Sequence, residues 1–317
     1  MASPPLLARR LAFVLGKGGV GKTTVTAALA LGLADAGHRT LLIEVGSEQR
    51  SSALFTTTPS LGGEPAQVRP GLFSLSIDVE RSIEEYLAAQ LKVRPLVELM
   101  VRSRAFHAVA QAAPGLAELV TLGKIWDLAT LVRGDTPVWD RLVVDCPATG
   151  HGIALLDVAG RIGELSGSGP IRDQAQKIEQ VIHHPAATGI VVVAQPEELA
   201  VSEALEAIDT LRSRDLPVAA AVMNSVAPSA FTSGDEPALA AVAADASADA
   251  ASRAAAGAAL ASLRRSEHDA AETMALAGGS GVPVATLPLV PQLSPGSGGL
   301  ELLVAALVVD PAIRGAA

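Results

Sequence analysis

Gly16-Lys17-Gly18-Gly19-Val20-Gly21-Lys22-Thr23 is the segment whose residue types and spacing point most directly to chemistry. It satisfies G-x-x-x-x-G-K-[S/T]. Its glycines let the backbone fold tightly and turn successive N–H groups toward phosphate oxygens. A helix beginning at Lys22 adds its positive dipole end. Lys22 then reaches the β- and γ-phosphates, and the Thr23 hydroxyl is placed to ligate Mg²⁺. Gly16, Gly18, Gly19, Val20, Gly21, Lys22, Thr23 and Thr24 form the expected nucleotide-binding set.

Such residues need strands and helices to aim them. Leu11 to Leu15 reads as a short buried strand, Lys22 to Ala36 as a helix stopped by Gly37, and Thr40 to Val45 as the next strand. Together they make one βαβ unit, which requires parallel strands. Gln49 to Gly71 reads as loop and Leu72 to Ile77 as an edge strand. Ser82 to Val132 reads as mostly helical, with a break at Pro114-Gly115. Arg141 to Asp145, Gly189 to Ala194, Pro217 to Met223 and Val284 to Leu287 complete the strand set. Pro196 to Ser213, the Ala-rich Ala238 to Ala277 and Leu300 to Val308 supply further helices. The expected fold is α/β, a doubly wound and mostly parallel sheet. Residues 1–317 form a single domain in this reading, with helical subdomain elements at 82–132 and 166–186.

Composition narrows the function classes. The 317 residues are 49% hydrophobic and 18% charged, which suits a large aliphatic core and not disorder. A formal net charge of −9 argues against broad binding to nucleic acid or anionic lipid. Cys146 is the single cysteine, so no internal disulfide or paired-cysteine metal site is possible within one chain. The apolar run after Arg9 and Arg10 is short for a signal peptide, and no stretch has 18 uninterrupted apolar residues. A reduced cytoplasmic setting is expected.

Lys17, directly after the first glycine, is the mark of the deviant Walker A ATPases. Within that class the chain resembles the ArsA family of anion-transporting and tail-anchored-protein-targeting ATPases. The Asp145 to Gly152 segment is similar to the family's second switch, with its proline one place early. Gln195-Pro196-Glu197-Glu198-Leu199 followed by Ser202-Glu203-Ala204, Val222-Met223-Asn224, Leu287-Pro288-Leu289-Val290-Pro291 and Ala113-Pro114-Gly115-Leu116 resemble further family segments. The resemblance implies a P-loop ATPase fold with ATP and Mg²⁺ as cofactors. It implies a dimer in which Lys17 reaches the partner's nucleotide and neutralises charge growing in the transition state. Asp145 holds the Mg²⁺ shell through water, His151 reports nucleotide state, Asn224 contacts adenine, and Pro288, Leu289 and Val290 close over it.

Two departures bear on function. Where relatives place an aspartate that orients the attacking water, this chain has Gly46, which carries no carboxylate. Glu44 or Glu48 is left to substitute. Arsenite needs several thiolates, and one cysteine argues against its efflux. The same count removes zinc-clasped and iron–sulfur relatives. Leu300 to Val308 has no Lys or Arg, unlike the basic membrane helix of septum-site ATPases. Two readings stay open. The first is an ATP-hydrolysing dimer that couples nucleotide state to a hydrophobic client or membrane component, at the membrane periphery; Leu96 to Val101 and Leu116 to Leu131 have enough apolar residues to line a groove, with ordinary core packing as the alternative. The second is a hydrolysis-poor subunit that pairs with an active paralogue.

Overall fold

A computed structural model of the chain describes residues 5–46, 54–55, 64–78, 81–83, 115–165 and 169–315. Its strands are β1 (Leu11–Gly16), β2 (Thr40–Val45), β3 (Ala66–Arg69), β4 (Leu72–Ile77), a small hairpin β5 (Val132–Arg133) and β6 (Thr136–Pro137), β7 (Arg141–Asp145), β8 (Thr188–Ala194), β9 (Val218–Val226) and β10 (Val284–Pro288). Eight of them form one sheet in the order β10-β9-β8-β1-β7-β2-β4-β3. All its pairings are parallel except β3 with β4.

Alternation along the central strands divides the core. Leu11, Phe13 and Leu15 of β1 face one hydrophobic cluster, and Ala12 and Val14 face the other. Because both faces are covered, the strands read as unbroken apolar runs. On one face lie α1 (Lys22–Asp35), α8 (Gly299–Val309) and α9 (Pro311–Arg314). On the other lie α2 (Leu116–Thr130), α3 (Thr149–Leu165), α4 (Pro170–Ile182) and α5 (Glu198–Ser213). A helical hairpin, α6 (Glu236–Ala244) and α7 (Ala250–Ser280), joins β9 to β10. The expected doubly wound, mostly parallel α/β sheet is therefore present.

Several expectations need correction. β4 is not the edge strand: β3 covers it, because Pro70-Gly71 turns the chain back antiparallel from what reads as loop. The Ala-rich segment is two helices. At the break, Asp245 accepts from the Ser247 N–H (2.8 Å) and Asp249 from the Ser252 N–H (2.9 Å). Such side chains offer the backbone an alternative to continuing a helix. α3 escapes the pattern reading because four glycines, Gly150, Gly152, Gly160 and Gly163, blur its spacing. Of the apolar residues of α2, Val120, Leu122, Ile125, Leu128 and Ala129 are buried in the core, whereas Leu116, Leu119 and Trp126 are half-buried. Leu96 to Val101, the other proposed lining, lies outside the described residues.

The end of β9 is held from the hairpin. Asp269 on α7 is 1% exposed, and its Oδ2 accepts the Ala227 N–H at 2.7 Å. Asp269→Ala leaves that buried N–H without its acceptor, at a cost of about 1–3 kcal/mol. Thermal melting is expected to drop by about 2–8 °C; an unchanged melting temperature would mean the contact is dispensable.

Candidate functional site

β1 lies between β7 and β8, where the chain passes from one half of the sheet to the other. Ligands of open α/β sheets sit at such a point, beyond the carboxyl ends of the strands. The Gly16–Thr23 loop leaves β1 there. Gly21 caps α1 with φ of 86°, in the left-handed region. A Cβ at Gly21 would collide with the Asn224 amide nitrogen, so this approach needs glycine twice over. The Asn224 side chain is buried, and its Nδ2 donates to the Val20 carbonyl at 2.9 Å. Its NH₂ group thus holds the loop from behind.

Lys22 opens α1, and its Nζ donates to the Lys17 carbonyl at 2.9 Å. The Thr23 hydroxyl donates to Asp145 Oδ2 at 2.6 Å. Asp145 ends β7 and is the register partner of Glu44 on β2. Glu44 is also buried, 3% exposed. Ammonium, hydroxyl and two carboxylates therefore meet in one cleft of about 560 Å³, lined by Gly18, Gly19, Gly21, Lys22, Thr23, Glu44, Val45, Gly46 and Asp145 to Ala148. Oxygen donors from Thr23 and Asp145 at hydrogen-bond distance suit a hard divalent cation that keeps several waters. The Lys22 ammonium and the loop N–H groups suit phosphate.

Gly46 lines the cleft with φ of 124°. Its carbonyl accepts the Ser76 hydroxyl at 2.5 Å. An aspartate here would lie in a backbone region that L side chains rarely adopt. Of the two acids proposed to replace it, Glu44 is in the cleft, and Glu48 lies outside the described residues.

Other expected site residues lie farther off. Gly16, Val20 and Thr24 belong to the loop and to the start of α1 but not to the cleft wall; Val20 is buried beneath it. Pro288 ends β10, and the Leu289 N–H donates to the Val226 carbonyl at 2.8 Å, two residues past Asn224. Val290 packs partly into the core, and Leu289 is 38% exposed. His151 is exposed on the first turn of α3. Cys146 is buried beside Asp145. Burial, with the neighbouring carboxylate, pushes its thiol well above the usual range, so it stays protonated and is a poor soft-metal ligand. Glu203, which the sequence places in the Pro-Glu segment without a role, has its Oε1 2.8 Å from Lys17 Nζ. Nothing in local spacing links positions 17 and 203.

Residues 9–167 match the profile of the family described as anion-transporting ATPase. ATPase BagA of Mycobacterium tuberculosis is 36% identical over 222 residues, covering 68% of this chain and 64% of that protein. An arsenical pump-driving ATPase of Escherichia coli is 26% identical over 236 residues, covering 68% of this chain and 39% of the pump protein. ATPase GET3B of Arabidopsis thaliana is 25% identical over 262 residues, covering 67% and 63%. The matched region thus spans less than two thirds of the length of each of these relatives. Among the described residues no helix is long and apolar enough to cross a membrane.

Proposed function

The chain belongs to the ArsA family of anion-transporting ATPases, and from that premise we propose that it is a magnesium-dependent ATPase whose nucleotide state controls pairing of two subunits. The observation that carries this reading is the meeting of Lys22, Thr23, Asp145 and Glu44 in one cleft at the carboxyl edge of the sheet. Lys22 swings from the Lys17 carbonyl to the β- and γ-phosphates. Thr23 and Asp145 would hold the Mg²⁺ shell, Asp145 through water, and an ion there would supply charge that offsets the phosphates. Glu44 orients the attacking water and takes its proton, the role that Gly46 cannot fill. The ends of β9 and β10 lie two and three strands from β1, about 10 and 14 Å away. The distance to the end of β10 suits a nucleoside reaching from the phosphate loop toward the Pro288–Val290 loop, past Asn224, whose amide is already bonded to the Val20 carbonyl of the loop.

In this reading Lys17 acts across the pair, as an ammonium supplied to the partner's phosphates. Lys17→Ala is expected to leave ATP binding within about threefold and slow turnover by about 100-fold or more. Phosphate release measured beside equilibrium nucleotide binding checks both, and unchanged turnover would remove the trans-acting role. The subunits close face to face, and closure reshapes the 82–132 and 166–186 elements that receive a hydrophobic client or membrane component. A single, buried thiol cannot supply the several thiolates that arsenite needs.

Gly46 favours a second reading, a subunit that binds ATP but hydrolyses it poorly and pairs with an active paralogue. Turnover by the purified chain alone separates the two. ATP binding without turnover, restored when a paralogue is added, would establish the second.

A further inference from the structure

Lys17 is restrained twice within its own subunit. Its Nζ lies 2.8 Å from Oε1 of Glu203 on α5. Its carbonyl meanwhile accepts the Lys22 ammonium at 2.9 Å. The ion pair is at the surface, with side chains 40% and 38% exposed. The neighbouring lip of the loop is bare: Gly18 and Gly19 are exposed, and a Cβ on either would meet no atom within 4 Å. Leu199, one helical turn before Glu203, is 61% exposed on the same helix. The lysine is thus tied back beside an exposed stretch of the phosphate loop.

We propose that Glu203 is a positioning residue that holds Lys17 on its own subunit in the nucleotide-free state and releases it as a triphosphate draws Lys22 off the Lys17 carbonyl. The inference rests on the reading above that Lys17 works across a subunit pair. An exposed ion pair shifts a population by only about two- to fivefold. Hydrogen bonds from an ammonium to phosphate in a closing, water-poor interface are stronger. Glu203 therefore biases the lysine without blocking it, and nucleotide decides the outcome. Losing the Lys22 contact frees the Lys17 peptide at the moment its side chain must turn outward. Nucleotide binding and exposure of the trans-acting group are coupled through one residue.

The test uses the full chain, wild type and Glu203→Gln, in two measurements. In nucleotide-free protein, acetylation of Lys17 by a water-soluble acylating reagent is followed by mass spectrometry, with Lys124 and Lys177 as internal references. Glu203→Gln is expected to label Lys17 about two- to fivefold faster, and Glu203→Asp, whose shorter arm keeps the charge, to fall between. Equal rates overturn the restraint. Pairing is then titrated by sedimentation with Mg²⁺ and a non-hydrolysable ATP analogue. The protein concentration at half-pairing is expected to be about two- to fivefold lower for Glu203→Gln. An equal or higher concentration overturns the hand-over. A wild-type chain that stays monomeric overturns the subunit-pair reading and the hand-over with it, while the labelling result still decides whether Glu203 restrains Lys17.

Discussion

Lys22→Ala is expected to abolish ATP binding at micromolar nucleotide, raising Kd by at least about 100-fold, which is about 2.7 kcal/mol. The loop can still form, because Gly21 caps α1 and Asn224 holds Val20 from behind, and neither contact involves the lysine side chain. What is lost is the mobile ammonium, now resting on the Lys17 carbonyl. Charge-assisted bonds to phosphate are about twice as strong as neutral ones. Without them the β- and γ-phosphates would face the Asp145 and Glu44 carboxylates with less compensation. Nucleotide fluorescence or calorimetric titration reads the effect, with thermal melting as the control for folding. Retained tight binding would sink the phosphate-loop assignment, whatever the turnover.

Glu44→Gln is expected to lower turnover by about 100- to 10,000-fold while Kd for ATP changes by no more than about threefold. The amide keeps the shape of the carboxylate, so the wall of the cleft is preserved. It cannot accept the proton of an attacking water. Keeping a carboxylate 3% exposed, on the strand next to Asp145, is costly unless local cations favour it. Single-turnover phosphate release separates chemistry from nucleotide exchange. Wild-type turnover in the variant would remove Glu44 from the mechanism and leave Glu48, or the hydrolysis-poor subunit, as the account of Gly46.

Legibility differed by the kind of information each feature carries. The phosphate loop was plain, because eight consecutive residues carry its chemistry and its turn geometry together. The central strands were plain because burial on both faces writes them as apolar runs. β3 was hidden, since a four-residue edge strand with the burial of Ala66 to Arg69 lacks that run. α3 was hidden by glycines that its contacts tolerate; a Cβ at Gly152 would press on Leu15 and the Pro147 carbonyl, so glycine there serves close packing. The choice between Glu44 and Glu48 could not be made from spacing, because both flank Gly46. Strand register placed Glu44 opposite Asp145 and facing the cleft.

By itself, the sequence carried the loop's phosphate-binding pattern, the parallel α/β class and the single cysteine. These are local or compositional properties, and each is set by neighbouring residue types or by a count. Tertiary structure alone decided which distant groups meet: Asn224 under Val20, Asp145 against Thr23, Glu203 on Lys17 and Asp269 at the end of β9. Each of these contacts joins residues at least 42 positions apart. No periodicity records such a pairing, because it depends on strand order and on the layers that pack over the sheet.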